Sequence, residues 1–305
     1  MSRALLAAAA TGVQVGAAIV ATRGVVQDVP PLTLALLRYS IGFLCLAPFA
    51  IGIFRTFMAQ PSVKRSLFAT PSGAKDLAAM AALGIGQFAV LIALLNVGLQ
   101  HVGAAKAALI FSLFPLLTLL LSAALGRERI TPALAAGVLL SIAGVGLSLV
   151  PKLGAPHIGH WWGEGAVLAS AGVGALCSVR YRPYLQRYPT VPVSAFAMGA
   201  SVLFLAPLAL LEGGASRVVA LGPAAWGVVA FIGVSSGAGY FAWLYALKHE
   251  SPTRVTVFWA LNPVTAALLG AVLLGEPLDL WTGAAIVSIG AGLWLATRVR
   301  PRAPV

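Results

Sequence analysis

Eight carboxylates and twenty basic side chains carry all the formal charge of this 305-residue chain, a net of +12. Their positions limit what chemistry they can do. The acids are Asp28, Asp76, Glu128, Glu164, Glu212, Glu250, Glu276 and Asp279, and none falls near the middle of an apolar run. A proton-coupled pump ordinarily keeps a carboxylate at mid-depth in the membrane. A proton antiporter for cationic compounds is therefore disfavoured, and any coupled proton would have to use Glu128, Glu276, His101 or His249. A membrane-embedded transferase would need clustered carboxylates to hold Mg2+. The nearest acidic pair, Glu276 and Asp279, stands alone without a glycine-rich phosphate loop. Cys45 and Cys177 lie inside apolar runs and read as small buried hydrophobes, not as a disulfide or metal pair. No enzyme activity, cofactor or metal is expected.

The elements that hold these residues are membrane helices. Sixty per cent of the chain is hydrophobic and 9% is charged, against roughly 25% charged in a soluble domain, so most of the surface must face lipid. Nucleic acid is excluded as the reason for the positive charge, because the basic residues sit singly or in short groups between apolar runs. Apolar runs near the 20 residues that a crossing needs predict ten helices at roughly 4–22, 31–54, 77–99, 103–123, 131–150, 162–180, 191–211, 224–246, 254–274 and 280–297. The first run is read as a helix and not as a cleaved signal peptide, since it is long enough to span and no clear cleavage site follows it. With the N-terminus cytoplasmic, fourteen basic residues fall on the inner side. Three (Arg23, Lys152, Arg217) fall outside and three (Arg38, Lys106, Arg254) within helices. This asymmetry predicts both termini inside. Trp161, Trp162, Trp226 and Trp281 fall at the outer ends, as an interfacial belt would.

The chain also repeats itself. A shift of 148 residues lays His101 on His249, Lys106 on Arg254, Leu113 on Leu261, Pro115 on Pro263 and Glu128 on Glu276. After a two-residue deletion, Gly137, Gly144 and Gly146 fall on Gly283, Gly290 and Gly292. The expected organisation is two five-helix units, 1–150 and 151–305. Five is odd, so the second unit must cross the bilayer in the opposite sense. Inverted repeats of this kind build a central site that opens alternately to either side. The expected fold is thus an all-α membrane protein of ten transmembrane helices arranged as two inverted five-helix repeats.

Several residues carry two readings each. Lys106 and Arg254 open helices 4 and 9, either as interfacial anchors or as a gate that attracts a carboxylate-bearing substrate. Glu128 and Glu276 end those helices, either accepting bonds from the N-terminus of the next helix or pairing with a base as a gate. Pro115 and Pro263 sit mid-helix and should kink it. Gln14, Gln87, Asn96, Ser112, Tyr240, Trp243, Trp259 and Asn262 are the polar or aromatic residues that could bind substrate, with Ser235 and Ser236 beside them. Interhelical hydrogen bonding is the plain account of each. Arg38, about a third of the way into helix 2, is read as structural, bonding backbone carbonyls. Ala284, Ser288 and Gly292 allow close contact along helix 10, within one protomer or between two.

The runs Pro115…Gly126-Arg127-Glu128 and Pro263…Leu274-Gly275-Glu276-Pro277 resemble the paired EamA domains of the drug/metabolite transporter superfamily. So do Pro31…Arg38 and Ser251-Pro252-Thr253-Arg254-Val255. The resemblance covers essentially the whole chain and is not specific to a substrate. It implies export or exchange of small metabolites through a central cavity lined mainly by helices 1, 3, 4, 6, 8 and 9. Small multidrug exporters of that superfamily have a mid-membrane glutamate in helix 1, where this chain has Gln14. Together these readings predict a secondary transporter of amino acids or related zwitterions working by alternating access. A nucleotide-sugar or phosphorylated-metabolite exchanger is the alternative. The expected partners are the lipid bilayer and a small-molecule substrate, and the expected location is a bacterial inner membrane. Oligomeric state is left open.

Overall fold

The computed structural model describes residues 2–58, 71–126, 131–153, 161–250, 255 and 258–297. Its elements are α1 (Arg3–Val25), α2 (Pro31–Met58), α3 (Pro71–Gly84), a π-helical turn (Ile85–Val90), α4 (Leu91–His101), α5 (Ala104–Phe111), α6 (Phe114–Ala124) and α7 (Pro132–Leu153). There follow α8 (Trp162–Arg187), α9 (Thr190–Leu211), α10 (Gly214–Val219), α11 (Pro223–His249), a 3-10 turn (Phe258–Ala260), α12 (Leu261–Leu274) and α13 (Leu280–Thr297). The described residues are helical or in turns, without strands. In lipid a helix satisfies its own backbone hydrogen bonds, which is why apolar runs of this length adopt it.

Among the described residues seven stretches are long and apolar enough to cross a membrane: Arg3–Val25, Pro31–Gly52, Gly73–His101, Ala104–Ala124, Trp162–Arg187, Thr190–Leu211 and Pro223–His249. The apolar stretches Ala135–Leu147, Leu261–Leu274 and Leu280–Gly292 are shorter. The bundle is apolar outside as well as inside. Leu44, Phe49, Leu203, Val272 and Val287 are largely exposed, whereas the polar Arg38, Gln87, Asn96 and Asn262 are buried within an otherwise apolar core. An exposed apolar belt with its few polar groups turned inward is the arrangement a bilayer favours.

Helices matched by the sequence repeat run in opposite directions. On α7 and α13, Gly144 meets Ala285 and Ile289, the Ser288 hydroxyl donates to Leu140 O, and Gly292 abuts Gly137 and Ser141. Rising numbers on one helix meet falling numbers on the other, so the two are antiparallel. The same holds for α2 and α9, where Thr33 bonds to Glu212 at the end of α9 and Phe43 lies against Gly199. Ser288 and Gly292 thus spend their small size on contact within the chain.

Two departures from the sequence expectation affect the interior. Neither proline bends a continuous helix. Pro115 is the second residue of α6, after a break at Ser112–Leu113, and Pro263 is the third residue of α12, after the 3-10 turn. A proline in the first turn forfeits no intrahelical bond, so the chain breaks just before it. Secondly, α8 continues past Pro183 to Arg187, about two turns beyond the apolar run.

Helix ends are capped by distant carboxylates. Glu212, closing α9, accepts bonds from Leu32 N, Thr33 N and the Thr33 hydroxyl at 3.0, 2.7 and 2.9 Å, so it caps α2. Glu212→Ala should cost about 1–2 kcal/mol, the usual range for a helix cap reinforced by charge. A thermal melt of the purified protein should show a lowered midpoint, and an unchanged one would mean that water replaces the carboxylate.

Candidate functional site: a central cavity

A cavity of about 550 Å³, counted to its open mouth, lies among α1, α2, the π-helical turn, α4, α5, α11 and the 3-10 turn. Helix 2 of the sequence numbering contributes to it, and α8, the sixth, does not appear in its lining. This differs from the expected lining set, because α2 leans on α11 through the glycine pair Gly42 and Gly237.

The polar end is built by α1, α2 and α11. Thr11 and Gln14 enter from mid-α1, where Thr11 Oγ1 donates to Ala7 O at 2.8 Å and lies 3.3 Å from Gly239 O, and Gln14 Nε2 donates to Ser235 Oγ at 3.3 Å. Gln14 fits only because residue 239 is a glycine: a Cβ there would meet Gln14 Oε1 at 2.4 Å. Arg38 is 7% exposed and lines the cavity. Its Nε donates to Ser236 Oγ at 2.6 Å, and its guanidinium carbon lies 5.5 Å from the centre of the Tyr39 ring. Ser236 Oγ in turn donates to Ile232 O. The bond from Arg38 goes to a side-chain hydroxyl, not to the backbone carbonyls expected from the sequence.

A chain of rings forms the opposite wall. Tyr39 lies 4.6 Å from Phe88, Phe88 4.2 Å from Tyr240, Tyr240 5.3 Å from Trp243 and Trp243 6.0 Å from Trp259. Trp259 stacks on Phe111 at 5.8 Å and 20°. These two residues are 148 apart, so the sequence repeat places an aromatic pair across its own pseudo-two-fold axis. Ring pairs at these separations add about 0.5–1.5 kcal/mol each beyond area burial.

The π-helical turn gives the site its side chains from the third span. It widens the helix over Ile85–Val90 and turns both Gln87 and Phe88 to the cavity. The turn also brings backbones close: a Cβ on Gly84 would lie 2.5 Å from Ala197 O of α9. Such turns inside α-helices frequently mark functional sites. Four buried polar atoms on the lining lack a hydrogen-bond partner: Gln87 Oε1, Tyr240 Oη, Trp243 Nε1 and Trp259 Nε1. Leaving each unsatisfied costs about 1–3 kcal/mol.

Of the eight residues singled out from sequence as substrate-binding, Gln14, Gln87, Tyr240, Trp243 and Trp259 meet along this cavity. Asn96, Ser112 and Asn262 do not line it. Asn96 Nδ2 donates to Pro31 O at 2.8 Å, Ser112 Oγ donates to Leu109 O, and Asn262 is fully buried beside Gly16. Lys106 is half-buried in the first turn of α5, where its charge reaches Asp279, and it is not part of the lining. His101 and His249 are exposed at helix ends. Arg254 and Glu128 lie outside the described residues. Glu276 caps a helix, but not the next one as the bland reading had it. Its carboxylate accepts from Ala104 N and Ala105 N of α5, 172 and 171 residues earlier, while the first turn of α13 is capped by Asp279. Those bonds from Thr282 hold the Asp279 carboxyl below the usual carboxylate range.

The sequence reading missed Thr11, Tyr39, Phe88 and Phe111, and it assigned Arg38 elsewhere. Only Arg38 carried a signal, its depth in an apolar run.

Known proteins share this arrangement. A profile of the EamA-like transporter family matches residues 2–150 and 157–298. An uncharacterized transporter of Archaeoglobus fulgidus is 30% identical over 276 residues, 88% of this chain and 95% of that protein. A probable terminal-alkyne amino-acid exporter of Streptantibioticus cattleyicolor is 32% identical over 258 residues, 81% of this chain and 84% of that protein. One solved crystal structure superposes with a TM-score of 0.69 at 26% identity, covering 97% of this chain and 96% of the other.

Proposed function

We propose, for a chain that belongs to the EamA-like transporter family and is a multi-pass membrane transporter, that it exports or exchanges amino acids or related zwitterions by alternating access. The cavity is the observation that carries this reading. It is walled by helices from both halves of the chain, and it offers an aromatic surface, neutral hydrogen-bonding groups and one cation. The likeness to a protein named as a probable amino-acid exporter supports the same substrate class. A phosphorylated substrate would call for more than one cation, and among the described residues Arg38 is the only charged one on the lining.

Ten crossings in two inverted five-helix units, 1–150 and 151–305, are part of this proposal. The antiparallel pairs α2 with α9 and α7 with α13 are what inverted units require. The basic excess at the end that holds both termini argues for a cytoplasmic location of that end in a bacterial inner membrane. Lys106 and Arg254 at opposite helix starts are proposed to attract a carboxylate to the two mouths, with Glu128 and Glu276 as gate elements. Among the described residues no carboxylate lines the cavity, so the gradient of the substrate itself is the proposed driving force.

Counterflow in proteoliposomes is the test. Labelled amino acids, nucleosides and sugars are offered with and without a pH gradient. Amino acids should exchange at rates indifferent to the gradient. Exchange confined to nucleosides or sugar phosphates would overturn the substrate class, and uptake that needs a proton gradient would overturn the driving force.

A further inference from the structure

The geometry points to Arg38 as the carboxylate anchor of the cavity, with the rings of Tyr240, Trp243 and Trp259 forming the subsite for a large apolar side chain. This assignment rests on the transporter reading for its purpose but not for its chemistry. Three observations carry it.

First, Arg38 is a buried cation with incomplete compensation. Its Nε has Ser236 and its face has Tyr39, but among the described residues no aspartate or glutamate lines the cavity. A guanidinium keeps its charge under all ordinary conditions and offers five donors. A buried charge without an opposite charge costs several kcal/mol. A carboxylate can take two parallel N–H bonds from the guanidinium fork, a geometry that a single hydroxyl cannot fill. The Ser236 contact fixes the Nε edge, so the orientation of the fork is set before a ligand arrives.

Second, the cavity is polarised along α11. Arg38 meets that helix at Ser236, and the ring wall follows at Tyr240 and Trp243. At a rise of 1.5 Å per residue, seven residues separate the two ends by about 10 Å. An α-amino acid with a large aliphatic or aromatic side chain is shorter than that from carboxylate to tip, and it reaches from the level of Ser236 to the nearer ring, Tyr240, four residues and about 6 Å along the helix.

Third, the partnerless Gln87 Oε1 is an acceptor on the same lining, one residue before Phe88, which packs on Tyr39 next to Arg38. It is the neutral acceptor that an ammonium group beside the carboxylate needs. The acceptor is uncharged and the cation is not, so the carboxylate contributes more to binding than the ammonium does.

The experiment is a thermal-shift titration of the purified full-length protein. The probes are L-phenylalanine, L-leucine and L-norleucine, each against its primary amide and its deaminated carboxylate, with sodium chloride as the simple-anion control. The acids should bind at least tenfold more tightly than their amides. The deaminated acids should lose less than the amides, and chloride should produce no saturable shift. Arg38→Gln should bring acid and amide to equal affinity. Arg38→Lys, which keeps the charge and loses the fork, should narrow the ratio at least threefold and serves if the glutamine variant does not fold. The assignment is overturned if no acid in the panel binds, if acid and amide bind alike in the native protein, if chloride alone gives the response, or if Arg38→Lys leaves the ratio unchanged. The transporter reading is judged separately by counterflow. Exchange that persists without acid preference leaves transport standing and removes the anchor. Acid-selective binding without any counterflow does the reverse.

Discussion

Gly16→Val should reduce substrate counterflow at least tenfold and lower the melting midpoint of the purified protein, while Gly24→Ala on the same helix should do neither. A Cβ added at Gly16 would lie 2.5 Å from Asn262 O and 2.7 Å from Thr265 Cβ. At Gly12, one turn earlier, it would lie 2.2 Å from Phe258 O. The neighbours are mainly backbone, which cannot rotate aside as the tip of a side chain can. Gly12 and Gly16 are spaced four apart, the pattern that lets two membrane helices approach closely. Here α1 seats directly on the 3-10 turn and the start of α12. Overpacking typically costs about 1–3 kcal/mol when side chains can yield, and backbone contact leaves less room to yield. The functional loss should exceed the loss of stability, because α1 also carries Thr11, Gln14 and Ala18 into the cavity and Trp259 sits in the turn it touches. Moving α1 outward therefore widens the cavity between Gln14 and Trp259. Gly24 has only Leu274 Cδ2 within reach, at 3.7 Å, an ordinary contact. A Gly16→Val protein that keeps more than half its native exchange rate would show that α1 is free to shift during transport.

That glycine pair is legible in the sequence as Gly12-Val-Gln-Val-Gly16, yet its partner is not, and the same holds more widely. The positions of the helices follow from apolar run length, because lipid leaves a spanning segment little alternative to a helix. The antiparallel repeat follows from counting five spans between matched prolines. What run length cannot show is which face of a uniformly apolar helix turns inward. Tyr39, Phe88 and Phe111 look like any other ring in an apolar run, and they become a wall only when α2, the π-helical turn and α5 are packed together. The π-helical turn itself has no sequence mark beyond Gly84 and Gly86 on either side of Ile85. Arg38 shows the opposite failure. Its depth was visible, but the partner that decides its role, Ser236, is 198 residues away.

Glu276→Ala should shift the protein about tenfold towards the state in which the His101 end of the bundle is open. In the structure that end is shut by bonds between helix ends. Glu276 accepts from Ala104 N at 2.8 Å and Ala105 N at 3.2 Å, and Arg23 Nη1 donates to Leu99 O at 2.6 Å. Gln27 Nε2 donates to Gln100 O at 2.9 Å. Of these contacts Glu276 is the one that joins the two halves of the chain, since it follows α12 and binds the N-terminus of α5. Two glycines make space for its carboxylate: a Cβ on Gly103 or on Gly270 would come within 3.2 Å of it. A carboxylate on free helix N–H groups makes charge-assisted bonds worth about 1.5–3 kcal/mol. Under the proposed alternating access this end must separate, so the bonds would exist in one state and not in the other. Their loss changes the equilibrium by their differential energy, and about 1.4 kcal/mol is a factor of ten. A cysteine at Leu95, a buried cavity position one to two turns inside that end, reports the change in a background lacking Cys45 and Cys177. Its labelling rate with a membrane-impermeant maleimide should rise about tenfold in Glu276→Ala, and less in Glu276→Gln, which keeps one acceptor and loses the charge. If the melting midpoint falls while the labelling rate stays put, the cap holds α5 in shape without holding the two repeats together, and the latch is elsewhere.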